Sequence, residues 1–135
     1  MAVLKRVWAG PCSVLGLLLW LIAWPLGARA RLVDGVLEVA LSRSARGRHR
    51  WSSWLPFHAI TLGHVVVGLD AQTLSHWRAH ERVHVAQYEH WGLMFLVAYP
   101  LSSVIQWLRG RPPYWSNHFE VQARERSERL HSGAR

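Results

Sequence analysis

The chain has 135 residues, enough for one domain with a modest core and too few for two ordinary ones. Its single cysteine, Cys12, excludes an intrachain disulfide and a Cys-rich zinc ribbon. The net charge of +8 rests almost wholly on arginine, and Lys5-Arg6, Arg29, Arg31, Arg109 and Arg111 flank apolar segments, which favours a membrane surface over a nucleic-acid groove.

Val7 to Leu26 is a near-continuous apolar run of about 20 residues, the length that crosses a bilayer as a helix. Lys5-Arg6 precede it, and Trp8, Trp20 and Trp24 stand where interfacial aromatics belong. The run predicts a retained N-terminal anchor. The competing reading is a signal sequence cleaved after Ala30, which would make the remainder secreted or periplasmic. In "RLVDGVLEVAL", residues 31–41, Asp34-Gly35 between apolar pairs predicts a tight β-hairpin. The basic cluster "SRSARGRHR", residues 42–50, is the one stretch a nucleic-acid reading could use, but no aromatic or glycine-rich recognition module lies beside it.

"HAITLGHVVVGLD", residues 58–70, is β-branched and alternating, and predicts a strand with Ile60, Leu62, His64 and Val66 on one face. Asp70 is placed to cap a helix over 71–91 that Gly92 would end. A second apolar segment, residues 92–110, contains Pro100, a residue able to bend it, and stops at Arg111-Pro112-Pro113. A polar helix is predicted from Asn117 to about Leu130.

The predicted 71–91 helix carries His80-Glu81-Arg82-Val83-His84. Residues four apart on a helix are rotated by only about 40° and separated by about 6 Å along the axis. His80 and His84 can therefore each present a ring nitrogen to one ion roughly 2 Å away. Glu81, turned by about 100° from His80, falls beside such an ion, where a carboxylate can take a proton from water. His76 lies about 12 Å along the axis from His84 and cannot share that ion. His64 and His90 read as structural or solvated side chains, and Glu89 points elsewhere. A third ligand is best sought at Glu120, which opens the last predicted helix; its competing role is a variant capping box with Asn117. Glu125 and Glu128 are weaker candidates.

"HERVH" followed by "NHFEVQA" resembles the gluzincin class of zinc metallopeptidases, above all its small, minimal bacterial members. In those, a His-Glu-x-x-His helix is followed by a helix with a pattern like Asn-x-x-Glu-x-x-Ala. The resemblance covers residues 58–125 and includes Val85 and Gln87. It implies Zn2+ as cofactor, His80, His84 and Glu120 as ligands, and Glu81 as general base. It also implies that the strand at 59–67 is an edge strand holding an extended peptide or protein substrate. Two positions depart from the pattern: Arg82 stands where the family is uncharged, and Arg124 where many members carry an Asp that orients a histidine ligand. Tyr88, Tyr114 and His118 are candidate partners for a developing oxyanion.

The expected architecture is α+β. Residues 1–30 form the anchor or signal sequence, and residues 31–135 a minimal zincin-like domain. That domain comprises a small antiparallel sheet, the His-Glu-x-x-His helix, an apolar helix and a C-terminal helix bearing Glu120. A single crossing by residues 92–108 would put His84 and Glu120 on opposite sides of a bilayer, so a three-ligand site requires that segment to bend or stay in the core. The expected function is a membrane-associated zinc metallopeptidase. The alternative is a non-catalytic membrane protein whose histidines are structural or bind metal without turnover.

Overall fold

The computed structural model describes residues 2–42 and 57–133. The basic cluster, beyond Ser42, lies outside the described residues. The fold is α+β. Helices α1 (Ala2–Trp8) and α2 (Gly10–Ala23) come first, followed by strands β1 (Arg29–Val33), β2 (Val36–Ser42), β3 (Ala59–Leu62) and β4 (Val65–Asp70). Helices α3 (Ala71–Trp91), α4 (Phe95–Leu108) and α5 (His118–Ser132) complete the chain.

The strands form one sheet in the order β1-β2-β4-β3. Asp34-Gly35 makes the expected hairpin, both residues at positive φ, so that Arg29 pairs with Ala40 and Val33 with Val36. Two expectations need correction. The sheet is mixed rather than antiparallel, because β2 and β4 run parallel, Leu37 opposite Val65 and Ser42 opposite Asp70. Residues 58–70 are not one strand but a hairpin, with Gly63 at φ +62 reversing the chain between β3 and β4. The alternation that reads as a single strand is in fact the pattern of two short ones.

The sheet is covered on both faces, which explains why β4 is buried throughout. Val39, Leu41, Val65 and Val67 point to one side and pack with Trp20, Ala23 and Ala28. Val36, Ala40 and Val66 point to the other and pack with Leu74 and Val85 of α3. A third cluster joins Ala9 and Cys12 to Tyr88 of α3, Phe95 of α4 and Phe119 of α5. These buried side chains remove apolar surface from water at roughly 25 cal/mol per Å².

The N-terminal apolar run is therefore packed into the fold along one side. It is also divided: α1 ends at Trp8 and α2 restarts at Gly10, with Pro11 in its first turn, where a missing N–H costs nothing. Ser13 Oγ accepts the His64 N–H at 2.9 Å, and Gly16 lies flat against Val65, where an added Cβ would stand 2.5 Å from the valine Cβ.

Asp70 caps α3, its carboxylate accepting the Thr73 N–H at 2.7 Å. Gly92 ends α3 at φ +56, and a Cβ there would stand 2.5 Å from the Trp8 indole nitrogen. The chain turns sharply here, at a short 3-10 turn over Gly92–Met94 rather than at Pro100, which lies within α4. α4 runs back along α3: Phe95 meets Tyr88 with ring centroids 4.5 Å apart, and Tyr99 meets His84 at 6.1 Å. α5 then starts against the middle of α4. Asn117 Nδ2 donates to the Tyr99 carbonyl at 2.9 Å and to Ser103 Oγ at 2.7 Å, and the His118 N–H donates to Ser102 Oγ. Residues 92–108 thus do not separate the α3 histidines from Glu120.

By length and composition alone, the helical stretch Ala71–Leu108 contains one window apolar enough to cross a membrane. The outer faces of both apolar helices are exposed: Leu18, Leu21 and Ile22 on α2, and Val97, Leu101, Val104 and Leu108 on α4.

Candidate metal centre

α3 brings His80 and His84 one above the other on its buried face, and α5 brings Glu120 against them from its first turn. All three side chains are buried, Glu120 at 3 % exposure. His80 Nε2 and His84 Nε2 lie 3.2 Å apart. Glu120 Oε2 is 3.1 Å from His80 Nε2, and Oε1 is 3.2 Å from His84 Nε2.

These three distances test the fit of an ion. Donors about 2.05 Å from a tetrahedral metal stand about 3.3 Å from one another. The two imidazole nitrogens match that spacing to within a few tenths of an ångström, and the Glu120 carboxylate offers each of them a different oxygen at a similar distance. Among the described residues this is the group of three or more His, Cys, Asp or Glu side chains able to hold a metal ion. The chemistry of two imidazoles and one carboxylate suits zinc and its neighbours in the first transition row.

Helix packing also resolves the two possible roles of Glu120. Asn117 caps α5 by itself, its Oδ1 accepting the Phe119 N–H at 2.9 Å, so the Glu120 carboxylate is left to face the histidines. Tyr99 donates its hydroxyl to Glu120 Oε1 at 2.6 Å. Burial would raise the Glu120 carboxyl, but the hydrogen bonds from His80, His84 and Tyr99 hold it well below the usual carboxylate range. It is a carboxylate at any physiological pH. Tyr114, in the turn before α5, is pushed up to about 12, by burial first and then by the charge and hydrogen bonding of Glu120. Its phenol remains protonated and half exposed beside the carboxylate.

Glu81 is buried next to the pair, and its Oε2 accepts the hydroxyl of Thr61 on β3 at 2.7 Å. Thr61 is a residue that periodicity could not single out. It emerges because β3 is an edge strand whose α3-facing position falls opposite Glu81. The two departures from the gluzincin-like pattern find structural uses. Arg82 Nη2 donates to the Val33 carbonyl at 2.6 Å and lies 3.8 Å from the buried Glu38. Arg78 grips the same Glu38 with two hydrogen bonds, at 2.7 and 3.0 Å. Both arginines therefore fasten α3 to the β1–β2 hairpin. Arg124 Nη2 donates to the Trp115 carbonyl, and its guanidinium lies 5.1 Å from the Trp115 ring. It steadies the turn before α5.

The remaining candidates fall outside the cluster. His64 pairs with Glu89 at 3.0 Å, and Lys5 approaches the same carboxylate at 4.0 Å. His76 packs edge-on against Trp77. Glu125 pairs with Arg129 on the exposed side of α5, Glu128 is exposed there too, and His118 packs on Phe119. Tyr88 is buried among Phe95 and its neighbours, away from solvent.

No protein-family model, curated protein or solved structure matches the chain.

Proposed function

We propose that the protein is a membrane-associated, metal-dependent hydrolase of the gluzincin kind, acting on peptide bonds with zinc held by His80, His84 and Glu120. The observation that carries the reading is the convergence of three buried side chains, His80, His84 and Glu120, whose ligand atoms lie within 4.8 Å of one another, with the Glu81 carboxylate beside the two histidines on α3. Zinc bound there would polarise a substrate carbonyl and lower the pKa of water toward about 7. Glu81 is the general base, taking a proton from the attacking water and passing it to the leaving amine. Thr61 fixes one Glu81 oxygen and so orients the other. Tyr114, protonated and half exposed, is the group best placed to donate to a developing oxyanion.

The metal assignment is tested on protein purified in detergent. About one zinc per chain is expected, selected over manganese and magnesium in competition. Replacing both His80 and His84 by Ala should remove it. Unchanged metal content in the double variant would end the reading.

The membrane assignment is supported by the exposed apolar faces of α2 and α4, with Leu108 at 72 % and Ile22 at 68 % exposure. Trp24 and Trp107 are exposed at or just beyond the ends of these helices, as are Arg109 and Arg111. Detergent-free protein is expected to float with vesicles containing anionic lipid and to bind neutral vesicles less. Protein that stays in the aqueous fraction with both would refute it.

A further inference from the structure

We propose that Gln87 is the positioning residue that prepares His84 to bind metal, doing with a neutral amide what a carboxylate does elsewhere in such sites. The inference rests on the metal reading above and adds to it the means by which one ligand is set. Gln87 is on α3, three residues after His84, and is 4 % exposed. Its amide makes three hydrogen-bond contacts: Oε1 with His84 Nδ1 at 2.8 Å, and Nε2 with the Phe119 carbonyl at 3.1 Å and Gln122 Oε1 at 2.9 Å.

The chemistry of these partners leaves little freedom. A glutamine amide can be turned end for end, and a neutral imidazole can carry its proton on either nitrogen. The Phe119 carbonyl can only accept, so it must face the Gln87 NH2. Oε1 is then the atom facing His84, and since it can only accept, His84 Nδ1 must carry the proton. With Nδ1–H fixed, Nε2, the nitrogen 3.2 Å from both His80 Nε2 and Glu120 Oε1, is the one whose lone pair a metal would take, on release of the proton with which it otherwise hydrogen-bonds Glu120. A backbone carbonyl on α5 thus dictates, through one amide, which nitrogen of an α3 histidine would ligate a metal.

The same side chain ties ligand geometry to helix packing. Phe119 is adjacent to Glu120, so Gln87 holds His84 at one end and the backbone beside the third ligand at the other. Its amide also replaces the missing acid. Arg124, which occupies the position where an orienting Asp would be expected, is turned toward Trp115 and does not serve the histidines.

The test is the affinity for zinc alone, measured against a chromophoric chelator, together with the thermal stability of the metal-free proteins. Gln87→Met keeps the volume but removes the acceptor, and zinc affinity is expected to fall roughly ten- to hundredfold. Gln87→Glu restores an acceptor for Nδ1–H, and its affinity should stay near the wild-type value. Its metal-free form should nevertheless melt lower, because a carboxylate has nothing to donate to the Phe119 carbonyl. That split between affinity and stability is one that a purely structural glutamine would not produce. Wild-type affinity in Gln87→Met would overturn the inference while leaving the metal site intact. If Gln87→Met does not fold, an equally large loss of affinity in Gln87→Glu overturns it. Absence of zinc binding by the wild-type protein would instead overturn the metal reading itself, and this proposal with it.

Discussion

Replacing Glu81 by Gln is expected to lower peptide hydrolysis by about 10²- to 10⁴-fold while leaving bound zinc unchanged. The substitution is nearly isosteric, and the amide oxygen can still accept the Thr61 hydroxyl that the carboxylate accepts at 2.7 Å. It alters none of the three proposed ligands, so its effect on folding should be small. What it removes is the ability to take a proton. Digestion of a peptide library followed by mass spectrometry, alongside metal analysis of the same sample, reads both quantities. A protein whose histidines are structural, or bind metal without turnover, would show no difference between the two forms. Wild-type hydrolysis in the variant would eliminate Glu81 as base.

Gly63→Ala should be the most damaging single-methyl change in the sheet, costing about 3 kcal/mol or more of stability. Two effects add there. The residue sits at φ +62, a conformation that costs an L side chain roughly 1–2 kcal/mol. Its added Cβ would also stand 2.4 Å from Ser13 Oγ, 2.6 Å from the Ser13 nitrogen and 2.8 Å from the Ala9 carbonyl. Backbone atoms cannot swing aside, so α2 would have to lift away from the β3–β4 hairpin. Gly110→Ala is the control: φ is +70, but nothing lies within 4 Å of the new carbon. Thermal melts in one detergent should show a clearly larger loss for Gly63→Ala. Equal losses would mean that the packing of α2 against the hairpin contributes little.

Much of the local structure is legible from residues alone, because caps and tight turns are short-range devices. Asp70 and Gly92 bound α3 as their chemistry requires, Asp34-Gly35 makes its hairpin, and the two histidines share a face through helix geometry. Glu120 is accessible to the same reasoning because it opens a helix. The parts that sequence does not disclose depend on contacts far along the chain. The parallel pairing of β2 with β4 is one such contact, and it makes the sheet mixed. The reversal at Gly63-His64 is hidden because hydrophobic alternation continues through it. The break in the first apolar run matters only because Ala9, Cys12 and Gly16 find partners in β4, α3 and the hairpin. Thr61 is likewise unreadable as a site residue, and Gln87 reads only as part of the family-like pattern: a threonine on a strand and a glutamine on a helix acquire their roles from what tertiary packing sets opposite them. Arg82 and Arg124 depart from a family-like pattern in sequence, but in the fold both hold the site's scaffold in place.

The sharp turn at Gly92 has a bearing on how the molecule assembles. Because α4 doubles back along α3 and α5 starts at its middle, the side-chain bonds that close this helical unit join residues 14 to 40 positions apart. The bond that seats α2 on the β3–β4 hairpin spans 51 positions, and those tying α3 to the β1–β2 hairpin span 40 to 49. Shorter chain closures cost less entropy and form sooner. The 40-position closure between His80 and Glu120 is cheaper in chain entropy than the 51-position one by only about 0.2 kcal/mol, so the candidate site closes at nearly the same cost as the seating of α2.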